Sequence, residues 1–101
     1  MVYQQGDVLI ESAQIPTTAK KSNKNRIVLA EGETTGHAHV ISDTNNCTAF
    51  ESDSELYLRV TNEVTVSHEE HNHISISPGN YRVRKVQEYD HFLEEARQVQ
   101  D

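Results

Sequence analysis

The chain has 101 residues, of which 35% are hydrophobic, and its formal net charge is -7. This length has room for one domain with a small core, and an excess of sixteen acidic over nine basic residues argues against nucleic acid as a partner. No apolar run reaches the ~20 residues that a membrane-spanning helix needs, so we expect no membrane association.

The first half of the chain shows short strand-like segments that are separated by polar turns. The first of these is interrupted at Gly6-Asp7. A polar segment over 17–26 predicts a loop, and the pair Asn45-Asn46 indicates a hairpin loop over 43–47. The predicted strands of this half are 2–10, 26–30 and 37–42.

The second half alternates apolar and polar residues more regularly. Its predicted strands are 48–50, 55–61, 64–68, 74–77 and 81–89. In one of them Val64, Val66 and His68 share a face, which indicates that His68 points into the fold. In the last strand the apolar residues Val83 and Val86 are three residues apart, so they do not follow the two-residue alternation of a strand. This change predicts a β-bulge near Arg84-Lys85.

The end of the chain changes to a helical period. Asp90 can cap the start of a helix, and the apolar residues from Phe92 to Val99 form one stripe. Many short strands followed by one helix predict a mainly β fold, a small antiparallel β-barrel or sandwich over 1–89. We expect the helix, 90–101, to pack on this domain or on a second copy, which would make a homodimer.

Histidine provides the clearest functional signal, because five of the six histidines fall in two short clusters. His37 and His39 are two residues apart, so in a strand their imidazoles project from one face. The second cluster, 68–73, holds three histidines and two glutamates. The predicted metal ligands are His37, His39, His68 and His71, with His73, Glu70 and Glu33 as substitutes.

Several segments carry a resemblance to known proteins. They are GETTGHAH (32–39), HEEH (68–71), PGNYRV (78–83) and EYD (88–90). Together they resemble a family of short, largely uncharacterised bacterial and phage proteins, and this resemblance implies no activity. Gly32, His37 and His39 are also similar in part to the first metal motif of cupins, which implies a β-barrel with a histidine-lined metal site.

The histidine clusters lead to three functional hypotheses. The first is a divalent-metal-binding domain, which holds Zn, Ni, Mn or Fe and has room for a small-molecule ligand. The second is a hydrolase in which Glu70 or Glu69 acts as general base on a metal-bound water. The spacing His68-Glu69-Glu70-His71 is one residue too short for the helical zinc-protease motif. The third is a metal-free bacterial or phage interaction protein.

The expected location is the cytoplasm. Residues 1–10 lack the basic and apolar regions of a signal peptide, and Cys47, the only cysteine, cannot form an intrachain disulfide. Cys47 also has no adjacent base in the sequence. We therefore expect a buried or loop residue and not a nucleophile.

Overall fold

The computed structural model describes residues 1–31 and 36–86, which form ten β-strands. No helix in these ranges is long and apolar enough to cross a membrane. The predicted helix over 90–101 and the end of the predicted strand 81–89 lie outside the described residues. The strands are β1 (Val2–Gln5), β2 (Val8–Ser12), β3 (Lys20–Lys21), β4 (Ile27–Glu31), β5 (Ala38–Ile41), β6 (Cys47–Ser52), β7 (Glu55–Val60), β8 (Val64–Ser67), β9 (Ile74–Ile76) and β10 (Gly79–Lys85).

The strands form two antiparallel sheets around one core. The six-stranded sheet has the order β1-β2-β10-β7-β6-β3, and the four-stranded sheet has the order β4-β5-β8-β9. Ile10 and Leu58 from the first sheet and Ile41 and Val66 from the second are fully buried in the same apolar cluster. The predicted mainly β class is confirmed. The barrel alternative is wrong for the described residues, because no hydrogen-bonded pairing closes the two sheets into a cylinder.

The N-terminal segment is a hairpin, where the sequence predicted one interrupted strand over 2–10. Gly6 has a φ of +59°, a left-handed conformation that glycine adopts at little cost. The chain therefore reverses here, and β1 pairs antiparallel with β2, with Gln5 opposite Val8. The side chain of Gln4 donates to the carbonyl of Gly6 at 2.8 Å, which supports the turn.

Two other connections differ from the sequence prediction. The loop over 43–47 joins β5 of one sheet to β6 of the other, so it is a crossover and not a hairpin. The carboxylate of Asp43 accepts hydrogen bonds from the backbone N–H groups of Asn45 and Asn46 at 3.1 Å, which shapes this crossover. The segment predicted as a loop over 17–26 contains the short strand β3, which pairs with β6.

A bulge exists, but it lies in β4 and not in β10. The pairing of β10 with β2 is continuous from Tyr81 to Lys85, so the predicted bulge near Arg84-Lys85 is wrong. Val86 departs from the alternation of apolar residues only because it follows the end of the strand, where its N–H donates to the carbonyl of Asp7. In β4 the register with β5 shifts between Val28 and Ala30.

Candidate metal centre

Three of the predicted metal ligands lie together where the two sheets meet. His39 lies on β5, His68 follows β8, and His71 belongs to the connection between β8 and β9. One ring nitrogen from each of the three lies within 4.8 Å of the others. The turn between β1 and β2, from the other sheet, packs against this histidine cluster, by which we mean His39, His68 and His71.

Strand pairing explains why two of these rings are neighbours. Val40 of β5 pairs with Ser67 of β8, and in an antiparallel ladder this places the next residues, His39 and His68, opposite each other. Their ring centroids are 4.3 Å apart. His68 continues the alternation of β8 and is 9% exposed, as its shared face with Val64 and Val66 indicated.

Gln5 determines which nitrogen of His39 carries the proton. Gln5 is 3% exposed, and its amide nitrogen donates to the backbone carbonyls of Val66 and Asn72 at 3.0 and 2.9 Å. This fixes the amide orientation, so its oxygen faces Nδ1 of His39 at 2.7 Å. Since an amide oxygen only accepts, Nδ1 is the protonated nitrogen and Nε2 keeps the free electron pair.

His68 and His71 face each other through Nδ1 atoms that are 3.1 Å apart. The Nδ1 atom of His68 also accepts hydrogen bonds from the backbone N–H groups of Glu70 and His71, at 3.0 and 3.3 Å. Because those N–H groups can only donate, Nδ1 of His68 is unprotonated, and His71 supplies the proton between the two rings.

The ring of His71 lies directly on the turn between β1 and β2. A Cβ atom added to Gly6 would lie 2.8 Å from Cε1 and 2.9 Å from Nε2 of His71, closer than real side chains approach. The absence of a side chain at Gly6 therefore allows the histidine cluster to close.

Burial keeps His39 in the neutral form that metal binding requires. The loss of hydration lowers the pKa of His39 to about 4, and the neighbouring His68 acts in the same direction. Asp7 opposes this shift, because its Oδ1 atom lies 3.7 Å from Nε2 of His39. At neutral pH the buried imidazole of His39 is uncharged.

The fourth predicted ligand, His37, lies at the edge of the histidine cluster. Its ring centroid is 5.7 Å from that of His68, and its Nδ1 atom is 3.8 Å from the exposed carboxylate of Glu70. The carboxylate of Glu69 accepts a hydrogen bond from the N–H of Ala38 at 2.8 Å, which lowers the pKa of Glu69. Glu69 thus ties the β8–β9 connection to β5.

The two substitute ligands outside the HEEH segment do not join the histidine cluster in the described structure. His73 is exposed and is not among the residues whose ligand atoms lie together. Glu33 lies outside the described residues. Cys47 is buried in the core, where loss of hydration raises the pKa of its thiol to about 12 and so disfavours the reactive thiolate.

The basic residues of β10 are paired with acidic side chains. Glu11 lies within ion-pair distance of both Arg82 and Arg84, and the ammonium group of Lys85 lies 3.6 Å from Asp7. This pairing reduces the positive charge that this strand could offer to a phosphate backbone.

Sequence reasoning missed three residues around the cluster, namely Gln5, Gly6 and Asp7. Their only signal was the interruption of the first predicted strand at Gly6-Asp7. That signal locates a turn, but it does not indicate that the turn packs against histidines more than 30 residues away.

The fold and the cluster define this protein as a two-sheet β domain with three histidines gathered against a hairpin turn. The chain belongs to the family described as a domain of unknown function, DUF8820, whose profile matches residues 4–86. The matched segment contains Gln5, Asp7 and all three residues of the histidine cluster. Neither the curated proteins nor the solved structures include a significant match to the chain.

Proposed function

We propose that this protein is a divalent-metal-binding domain in which His39, His68 and His71 are ligands. The observation that carries the proposal is the hydrogen bond from His39 to Gln5. This hydrogen bond keeps the proton of His39 on Nδ1 and leaves Nε2 free to bind an ion. Metal-binding histidines in proteins are commonly oriented by a hydrogen bond of this kind from the other ring nitrogen.

The distance between His68 and His71 supports the same function. Two imidazole nitrogens bound to one tetrahedral zinc ion at about 2.0–2.1 Å are about 3.3–3.4 Å apart. The two Nδ1 atoms are 3.1 Å apart, close to this spacing. An ion bound there would replace the proton between the rings, and it would take the electron pair of His68 Nδ1 from the backbone N–H groups of Glu70 and His71. His71 then carries its proton on Nε2. Imidazole ligands suit Zn²⁺, and Ni²⁺, Fe²⁺ and Mn²⁺ remain alternatives.

Metal stoichiometry tests this proposal. The protein, purified without an affinity tag and freed of metal with a chelator, is titrated with Zn²⁺ by calorimetry. We expect about one ion per chain, and at least ~10-fold weaker binding by His39→Ala and His71→Ala. His73→Ala is the matched control, because His73 is an exposed histidine of the same connection. Equal Zn²⁺ affinity in all four proteins would reject the site.

A metal-dependent hydrolase is the second candidate. Three histidines leave one position of a zinc ion for water, as in catalytic sites. The carboxylate of Glu70 is exposed and adjacent to His37, so it is available as a base, whereas Glu69 is engaged by Ala38.

Turnover assays on the zinc-loaded protein test the hydrolase. Phosphoester, cyclic-nucleotide and amide substrates cover the main classes of hydrolysis. If Glu70 is the base, Glu70→Gln lowers turnover by about 100-fold and leaves zinc binding unchanged, while Glu69→Gln has a smaller effect. The absence of turnover on all three substrate classes would reject the hydrolase and leave the binding domain.

A further inference from the structure

We propose that Asp7 is a fourth metal ligand, so that the centre is a site of three histidines and one carboxylate. This inference rests on the metal-binding function proposed above. It starts from an unusual contact: Oδ1 of Asp7 lies 3.7 Å from Nε2 of His39. Gln5 holds the proton of His39 on Nδ1, so the free electron pair of the ring is on Nε2, the nitrogen that lies near the carboxylate of Asp7.

Two hydrogen-bond acceptors that lie close together repel unless a cation, a proton or a bridging donor such as water lies between them. A metal ion removes the repulsion without charging the ring, because it binds the neutral nitrogen and the carboxylate together.

The distance between the two atoms fits one ion. An ion at about 2.1 Å from both Nε2 and Oδ1 would subtend an angle of about 120° at their separation of 3.7 Å. A movement of about 0.3 Å would bring this angle to the tetrahedral value. Asp7 lies outside the group that His39, His68 and His71 form within 4.8 Å, so its carboxylate must also move towards His68 and His71 to complete the site. Its side chain is 40% exposed, which gives it room for this movement.

The turn that carries Asp7 is held against the histidine cluster on both sides. The carbonyl of Asp7 accepts a hydrogen bond from the N–H of Val86 at 2.8 Å. Its second carboxylate oxygen lies 3.6 Å from the ammonium group of Lys85, which leaves Oδ1 free to bind the ion. The preceding residue, Gly6, contacts His71. The same turn therefore touches two of the histidine ligands.

A fourth protein ligand changes what the centre can do. Three imidazoles and one carboxylate would occupy all four positions of a tetrahedral zinc ion. Structural zinc sites also have four protein ligands, whereas catalytic sites keep one position for water. The donor set of nitrogen and oxygen favours Zn²⁺, Fe²⁺ or Mn²⁺ over softer ions such as Cu⁺. Asp7 as a ligand thus favours the metal-binding domain over the hydrolase.

The experiment compares Asp7→Asn with Asp53→Asn in the full chain. Asp53 is the matched control, because it is an exposed aspartate in another hairpin turn and its replacement removes the same charge. Zn²⁺ affinity is measured by competition with a chromophoric chelator, and Co²⁺ replaces zinc as a probe whose visible spectrum reports the donor atoms. We expect Asp7→Asn to weaken Zn²⁺ binding by at least ~10-fold and to change the Co²⁺ spectrum, and Asp53→Asn to do neither.

A second variant controls for folding. Asp7→Glu keeps the charge and the contact with Lys85 but moves the oxygen by one methylene group, so it should recover part of the affinity with a shifted Co²⁺ spectrum. Wild-type affinity and spectrum in Asp7→Asn, together with lost binding in His39→Ala, would overturn Asp7 as a ligand and leave the histidine site intact. A wild-type protein that binds neither Zn²⁺ nor Co²⁺ would overturn both proposals.

Discussion

At the scale of single residues, one glutamine side chain links three parts of the chain. Gln5 lies at the end of β1, and its amide binds the carbonyls of Val66 and Asn72 while it accepts from His39. A buried amide with three partners specifies one position and one tautomer for the histidine. Gln5 is therefore a positioning residue for the proposed metal ligand.

Replacement of Gln5 by leucine tests this role. Gln5→Leu removes the donor to the carbonyls of Val66 and Asn72 and leaves the buried His39 without an acceptor, which should lower the free energy of unfolding by about 1–3 kcal/mol. Zn²⁺ affinity should fall by about 10–100-fold. Nitrogen NMR of the metal-free protein should show that His39 no longer prefers the proton on Nδ1. The exposed Gln14→Leu is the control, and an unchanged tautomer in Gln5→Leu would refute the role.

Gly6 supports a second prediction at this scale. Both Gly6 and Gly36 have a positive φ, +59° and +87°, so alanine strains the backbone at either position. Only at Gly6 would the added Cβ meet His71, because nothing lies within 4 Å of a Cβ at Gly36. Gly6→Ala should therefore weaken Zn²⁺ binding by at least ~10-fold more than Gly36→Ala, measured by the same calorimetry. Equal losses would show that backbone strain, and not contact with His71, is responsible.

Individual residues of the site were predictable only where the two-residue alternation of a strand showed which face they occupy. Alternation along β8 placed His68 on the buried face, and the spacing of His37 and His39 placed these two side chains on one face of their strand. The partners Gln5 and Asp7 come from the other sheet. No local pattern relates them to the histidines, because that relation depends on how the two sheets pack.

At the scale of elements, alternation predicted most strands, and the errors concern what joins them. β3 has two exposed lysines and no apolar residue, so its sequence is typical of a loop. The crossover from β5 to β6 has the composition of a hairpin, since Asn and Asp favour any tight turn. The break in the alternation of apolar residues before Val86 marks the end of β10 and not a bulge. Local composition thus indicates where the chain turns, but not to which sheet it continues.

The pairing of β2 with β10 supports a prediction about acid stability. Glu11 lies opposite Arg82 in the register, and the guanidinium group of Arg82 holds the pKa of Glu11 below its usual value. A carboxylate with a lowered folded pKa contributes stability that is complete above its unfolded pKa of about 4.3. This contribution is lost as the pH falls through the folded value.

Glu11→Gln should therefore destabilise the protein at pH 7 and reduce the dependence of its stability on pH between about 5 and 3. Urea unfolding at several pH values measures both effects. Glu63→Gln, at an exposed position in the β7–β8 connection, is the matched control. If Glu11→Gln has the wild-type slope of stability against pH, the ion pair with Arg82 contributes nothing measurable to the fold.

At the scale of the whole molecule, the candidate centre joins the two sheets. His39, His68 and His71 belong to the four-stranded sheet and its β8–β9 connection, whereas Gln5, Gly6 and Asp7 come from the hairpin of the six-stranded sheet. A metal ion held by both would add a cross-link to a small apolar core. The domain boundary at residue 89, the helix-mediated homodimer and the cytoplasmic location stay predictions.

A cross-link between the sheets predicts a large metal effect on thermal stability. Zn²⁺ at a free concentration of 100 times its dissociation constant stabilises the folded state by about 2.7 kcal/mol if it binds only that state. For a domain of this size, that corresponds to an increase in Tm of about 10–20 °C. His68→Ala should abolish the increase and His73→Ala should retain it, because only His68 belongs to the histidine cluster. Scanning calorimetry with Zn²⁺ and with excess chelator measures the shift. An equal Zn²⁺-dependent rise in His68→Ala would place the stabilising ion elsewhere on the chain.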